Sequence, residues 1–367
     1  MKFKIKKEMI EKALENVGIA IDYGNLNISM RGILFEVNAD NIVLIGSDGE
    51  FSIKKQIMTS ENLIIEKVGK VLVITSLLKN IIKRAEGFIS FEQNNTSLKI
   101  NNNLDEFTIN LLDEQDYPTI EFNDFGISFE IDMNAFRNLI KNTSFAASTN
   151  ESVSRVLQYV NLINQHGTLR INATDSFRFA TESYDINCEE EFDISLPVKS
   201  LKRLMSSNLN GIIKFIVEEK KISIQKNDEI YQIKAFDGIY KDLSNVFPKQ
   251  ETIKYVLEIN KKELNDLLSK AAFSAGDKYN RIKMHFSKDS FLITSVYEEL
   301  GTSKVYAKNF KWKGEELVVS LNYRYLKEAI NVFEDEIAIF LNEKVDRILI
   351  LSKSNPKNKQ LIAPHKG

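Results

Sequence analysis

The chain spells out the same helix-and-strand pattern three times. The triplet Ile10, Ala13, Leu14 returns as Phe136, Leu139, Ile140 and again as Leu264, Leu267, Leu268, each copy about a third of the 367-residue chain beyond the last. The i, i+3, i+4 spacing puts each triplet on one face of a helix. Ile5, Ile131 and Ile259 precede the triplets at one fixed distance, and a second helical triplet follows as Leu78, Ile81, Ile82, then Leu201, Leu204, Met205, then Leu326, Ala329, Ile330. The strands repeat too. Residues 41–53 parallel 168–180, which aligns Asp48 with Asp175, and residues 88–112 correspond to 212–236; the last copy runs from Ile337 through "ILILSK" to "KQLIAP". Alternation broken by Asn-Asn, Lys-Lys and Lys-Asn-Asp predicts antiparallel meanders. The expected fold is α+β, with three repeated domains at 1–125, 126–250 and 251–367. Each is two helices packed on antiparallel sheet, and the linkers fall at 116–126 and 242–252.

Composition narrows the chemistry. With 43% hydrophobic and 27% charged residues, the chain has enough apolar material for real cores. A lone cysteine, Cys188, excludes a disulfide framework, and His166, His285 and His365 lack partners at metal-ligand spacing. No metal and no cofactor are expected. Residues 45–52 lack the lysine of a phosphate loop, and no Gly-x-Ser-x-Gly elbow occurs. Acidic runs such as 189–191, 298–299 and 334–336 read as solvated turns, so no catalytic residue is assigned. Neither a signal peptide nor a membrane span is found, and the expectation is a cytoplasmic protein.

Charge is segregated. The six predicted helices carry +7 together, although the whole chain is −2, which leaves the remainder at −9. Lys79, Lys83, Arg84, Arg137, Lys141, Lys199, Lys202, Arg203, Lys262, Arg324 and Lys327 supply the positive positions, most of them off the apolar triplets. The first helix, with Glu8, Glu11 and Glu15, runs against the trend. Any one of these lysines is ordinary solvated surface; together they suggest one basic face turned toward phosphate, with sequence-independent, salt-sensitive contacts.

These repeats, with "MKFKI" at the start, "SFAASTNES" (144–152), "NATDSFRFA" (172–180), "YKDLSNVFPK" (240–249) and the terminal "QLIAPHK", resemble the bacterial sliding-clamp family, the beta subunits of DNA polymerase III. The resemblance covers essentially the whole chain. It implies a DNA-clamp fold in which two chains join head to tail as a closed ring. Twelve helices spaced ~8–10 Å apart would trace an axis circle ~31–38 Å across, wide enough for a duplex once one helix diameter of ~10–12 Å is removed. The implied function is a processivity factor that encircles double-stranded DNA without sequence specificity. It would tether the polymerase alpha subunit, an ATP-driven clamp loader and other proteins bearing clamp-binding motifs.

Carried over by position, the resemblance places a peptide pocket at Leu157, Thr174, Ser176, Phe177, Arg178, Phe179, Lys241 and Val246, joined by Val345, Arg347, Leu361, Ile362, Ala363, Pro364, His365 and Lys366. Phe177 stands for the usual histidine, Lys241 where proline is common, and Ala363 and His365 depart from the usual apolar tail. Loop contacts with DNA are implied near Asn150 and Ser152. The family's first-domain arginine is Gly24 here, so that contact is lost or passes to Arg31. Phe107 and Phe273 take the seam positions between chains. Two other readings stay open: a three-domain interaction scaffold that does not encircle DNA, and an enzyme built on scattered carboxylates such as Asp48 and Asp175, whose simpler role is to satisfy turn amides.

Overall fold

A computed structural model describes residues 1–122, 125–273, 280–297 and 300–365. Each third runs strand, helix, strands, helix, three strands. The helices are α1 (Lys7–Val17), α2 (Thr75–Ile82), α3 (Met133–Thr143), α4 (Val198–Met205), α5 (Lys261–Ala271) and α6 (Tyr323–Asn331). Polar side chains fix where several begin. Asn260 and Asn322 accept the Lys262 and Arg324 backbone N–H at 2.9 Å, and Asp132 takes those of Asn134 and Ala135. Such caps satisfy donors that a helix start leaves without intrahelical partners.

The chain forms two compact units, Met1–Phe136 with Lys199–Asp237, and Arg137–Val198 with Gly238–Gly367. They do not coincide with the thirds of the repeat, because each large sheet takes strands from two successive copies. In the first unit an eight-stranded sheet runs from Ile127–Asp132 through Ile212–Val217, Lys221–Lys226 and Glu229–Lys234 to Phe51–Met58, Asn41–Ser47, Gly32–Val37 and Gly69–Ile74. Its inter-repeat joint is the antiparallel pairing of Glu229–Lys234 with Phe51–Met58, Tyr231 opposite Ile53. A five-stranded sheet beside it ends on Asp105–Asn110.

The second unit repeats the scheme. Its nine-stranded sheet joins Arg178–Asp185 to Asn358–Ile362, with Ala180 opposite Gln360, and its four-stranded sheet ends on Gly301–Tyr306. The predicted helical triplets face the cores. Ile10, Ala13 and Leu14 are buried in the first unit, while Leu264, Leu267, Leu268, Leu326, Ala329 and Ile330 share one cluster with Leu257, Ile282 and Ile339 in the second. Packing of these apolar stripes, more than intrinsic propensity, holds helices this short.

Both joints carry a polar clamp. Lys55 reaches Asp228 and Glu229 at 2.8 Å each, and the Tyr231 hydroxyl lies 2.9 Å from Glu229 Oε2 and 3.2 Å from Asn16 Oδ1. Burial alone would lower the Lys55 pKa, but the two carboxylates more than offset it and raise it. At the other joint the buried Glu182 carboxylate accepts amide N–H groups from Asn142, Asn355 and Asn358 at 2.7–2.8 Å. Among the described residues no helix is long and apolar enough to cross a membrane.

Removing Lys55 strands two carboxylates on a half-buried strand pair. Lys55→Met is expected to lower unfolding stability by about 2–4 kcal/mol, measured as a shift of the urea midpoint at unchanged slope. Because the lysine's pKa is raised, its contribution is fully present below the ordinary lysine pKa near ~10.4 and is lost only above it. The deficit should therefore be flat from pH 6 to pH 9.

Candidate functional site

The carboxylates named as an enzyme alternative are structural. Asp48 Oδ1 accepts the backbone N–H of Glu50 and Phe51 at 3.0 and 2.8 Å, and Asp175 Oδ1 accepts those of Phe177 and Arg178 at 3.0 Å. Each closes the turn between two strands at matching places in the repeat. No cluster of three or more histidine, cysteine or acidic side chains suited to a metal occurs among the described residues.

The second unit opens a cavity of about 470 Å³ at the end of that second turn. Leu157, Thr174, Ser176, Phe177, Arg178, Phe179, Lys241, Val246, Arg347, Leu361, Ile362 and Ala363, all positions that the resemblance implies, line it, and Val156, Tyr240, Leu243 and Asp346 complete it. The joint brings the two ends of the list together, since Phe179 pairs with Leu361 and Arg178 with Ile362. Ala363 then donates its backbone N–H to the Phe177 carbonyl at 2.8 Å. Leu157, Val246 and Leu361 are half-buried, whereas Phe179 is buried and lies 5.4 Å from the Phe247 ring. The site is an apolar slot with polar edges, the usual form of a peptide or ligand groove.

Arg178 is the most constrained polar group there. Its guanidinium donates to Asp175 at 2.9 Å, pairs with Glu328, and stacks 4.4 Å from the Tyr325 ring centre and 5.5 Å from Phe145. Thr174 Oγ1 donates to the Arg178 carbonyl at 2.6 Å and accepts from Ser176 N–H, which holds Ser176 at φ +78° and presents Phe177, 61% exposed, at the rim. Tyr240 turns its hydroxyl out of water, and burial raises its pKa.

Some expected members lie elsewhere. Val345, at φ +52°, packs against the C-terminal core and is absent from the slot lining. Pro364 and His365 pass beyond the cavity, with the His365 N–H bonded to the Ser320 carbonyl at 2.8 Å; Lys366 lies outside the described residues. Of the residues that sequence missed, Tyr240 and Leu243 carry a faint signal, since they precede the expected Val246 at steps of three, while Val156 and Asp346 carry none.

The basic helix positions divide. Lys83, Arg84, Lys141, Lys199, Lys202, Lys262 and Arg324 are exposed, while Lys79, Arg137 and Lys327 are half-buried. Lys79 lays its ammonium against Gly18 at the end of α1, where a Cβ would collide with it. Arg203 departs from the expectation of a DNA-facing residue. Its guanidinium donates to the Ile19 carbonyl at 2.7 Å, pairs with Asp48 and covers the Phe51 ring, so it braces a turn. Asn150 is exposed and uses Oδ1 to accept the Ser152 N–H at 2.9 Å. In the Gly24 loop, Arg31 Nε donates to the Asn25 carbonyl at 2.6 Å. Phe107, 39% exposed, sits on the edge strand Asp105–Asn110; Phe273, 50% exposed, meets Tyr297 edge-on at 4.7 Å.

Three family models match the chain: DNA polymerase III beta subunit N-terminal domain at residues 1–121, central domain at 130–242 and C-terminal domain at 244–366. A beta sliding clamp of Mycoplasmopsis pulmonis is 32% identical over the full length of both chains, and that of Bacillus subtilis is 25% identical over 99% of each. In fold, the chain is similar to the crystal structure of the B. subtilis DNA polymerase sliding clamp, with a TM-score of 0.92 at 24% identity over 100% and 99% of the two chains. It is similar also to the Thermotoga maritima DNA polymerase III beta subunit, with a TM-score of 0.88 at 21% identity over 100% and 99%.

Asp175→Ala leaves two turn amides and Arg178 short of an acceptor. The expected cost is about 1–3 kcal/mol in a thermal or urea melt, and added magnesium should change neither variant nor parent.

Proposed function

Since the chain belongs to the DNA polymerase III beta-subunit family, the sliding clamps, we propose that two copies close head to tail around duplex DNA and tether the replicative polymerase. It is a processivity factor without a catalytic site of its own. The ring slides on weak phosphate contacts, its closure prevents escape, and a bound polymerase sees the primer end at high effective concentration. Its place of work is the cytoplasm, with the chromosome. Residues 1–125, 126–250 and 251–367 act as the three clamp domains of each copy.

One observation carries the ring. Each inter-repeat joint pairs the third strand after a repeat's second helix with the third-strand counterpart of another repeat: Glu229–Lys234 with Phe51–Met58, and Asn358–Ile362 with Arg178–Asp185. Applying the same rule leaves two strands over, Asp105–Asn110 and Gly301–Tyr306, and each is a sheet edge. Long open edges invite pairing with another chain.

The register follows by equivalence. Phe107 corresponds to Tyr231 and Gln360. Ser303 corresponds to Ile53 and Ala180, since the pairs Gly46↔Ile53, Ala173↔Ala180 and Ser295↔Ser303 recur at the same place. Pairing Phe107 with Ser303 of a second copy sets Glu106 opposite Lys304, and the exposed Leu104 opposite the exposed Tyr306. Phe273 meets Tyr297 edge-on, and Tyr297 pairs with Gly301 on that edge, so both seam aromatics border it.

The apolar slot is the dock for the polymerase alpha subunit, the clamp loader and other clamp-binding proteins. The exposed basic residues Lys83, Arg84, Lys141, Lys199, Lys202, Lys262 and Arg324, with half-buried Lys79, Arg137 and Lys327 and the loop at Asn150, face DNA.

After loading, the protein should stay on nicked circular DNA and run off linear DNA of equal length; equal loss from both would rule out encirclement. At the seam, Phe107→Arg should shift dimer to monomer by sedimentation. Glu106→Lys should weaken the dimer by about two- to fivefold, and Lys304→Glu in the same chain should restore it. A charge reversal with no recovery would refute this register.

A further inference from the structure

The second inter-repeat linker roofs a chamber of about 300 Å³, where the first leaves a smaller cavity of about 190 Å³. In the first unit, Leu34 pairs with Ile45 and with Leu72, and the linker seals this apolar face with Tyr117, Ile120 and Phe122. The equivalent triplet in the second unit has the same register and the opposite chemistry: Asn161 pairs with Asn172 and with Ser195. These side chains form a polar ladder. Asn161 Nδ2 donates to Asp193 at 2.6 Å and to Ser195 at 3.1 Å, Asn172 Nδ2 donates to Asn161 Oδ1 at 3.2 Å, and Thr181 donates to Asn172 at 2.7 Å. Above it is a cavity of about 300 Å³ that shares Phe179, Tyr240, Lys241 and Leu243 with the apolar slot.

The anions around this chamber are already engaged. Asp193 takes the Asn161 amide, Asp242 accepts from the Ser244 backbone and hydroxyl at 2.8 and 2.9 Å, and Asp185 holds Lys357 at 2.5 Å. Asp242 is held below the ordinary carboxylate pKa, chiefly by its Ser244 hydrogen bonds and further by the charge of Arg170. Lys241 and Lys359 have no carboxylate within ion-pair distance among the described residues, and Lys359 sits 5.5 Å over the Phe247 ring. Lys241 lines both cavities.

We propose that this chamber is a second compartment of the docking groove, which takes an acidic side chain of the partner segment beside its apolar anchor, with Lys241 and Lys359 as the selecting cations. The inference rests on the slot being a peptide dock. It gives Lys241, which stands where the family commonly has proline, a role in partner choice. A neutral or basic flank loses that contact, while an acidic one gains a charge-assisted hydrogen bond at the chamber mouth.

The test uses the full chain and two labelled decapeptides with a Leu-Phe anchor, flanked on both sides by Asp in one and by Asn in the other, in fluorescence-anisotropy titrations. The acidic peptide should bind about three- to tenfold more tightly at 0.1 M salt. The preference should shrink toward unity at 1 M salt, where the screening length falls from ~10 Å to ~3 Å. In the double variant Lys241→Met, Lys359→Met the ratio of the two affinities should fall to unity, whatever the absolute affinity for the Asn peptide becomes. Equal binding of the two peptides by the parent overturns this inference alone, as does a preference that survives in the variant. If neither peptide binds, the docking reading falls and the inference with it.

Discussion

Where Glu229–Lys234 lies against Phe51–Met58, the main-chain N–H and C=O groups of one repeat are satisfied by those of another, so two repeats share a single sheet. The same happens between Arg178–Asp185 and Asn358–Ile362. Buried backbone groups must find partners, and these pairings supply them without a separate hydrophobic interface. They also place the apolar slot, because the strands that meet at the second joint are the ones whose ends line it. A side-chain clamp accompanies each joint, Lys55 with two carboxylates in one case and Glu182 with three amides in the other. The chemistry differs while the backbone solution is conserved between copies.

Much of this was legible in sequence because it is periodic. The helical triplets face the cores and the meanders alternate as written, since both follow from burying one face of a regular element. The turn aspartates were legible for a local reason: an aspartate side chain reaches amides two and three residues on. Long-range pairing was not legible. Nothing in the composition of residues 229–234 says that they add to the sheet of residues 51–58. Val345 packs on the C-terminal core, a long-range contact that its sequence position does not reveal. Arg203 was misread as a DNA-facing residue because helix periodicity marks it as off the apolar face. What claims it is Asp48 and the Ile19 carbonyl, far away in the chain.

Arg203 and Arg178 illustrate how an apparent surplus of positive charge can be partly structural. Both guanidiniums cover an aromatic ring and pair with an aspartate that closes a strand turn, Asp48 in one repeat and Asp175 in the next. Arginine suits this place because its planar fork can stack and form several hydrogen bonds together, which a lysine cannot do. The cations left for a polyanion are then mostly lysines, strongly hydrated point charges on flexible stems. That is the chemistry of loose, non-directional attraction, and it suits a surface along which nucleic acid must move.

The first linker covers the sheet face at Leu34, Ile45 and Leu72 with Tyr117, Ile120 and Phe122, whereas the second borders the apolar slot. With the slot as the proposed dock, each chain offers one such berth among its described residues, and a closed assembly of two chains offers two. Clients that use the same apolar anchor would have to take turns, with traffic set by how fast each one leaves. A replication machine built on such a part would change tools by queueing, with no need for a separate signal to evict the occupant.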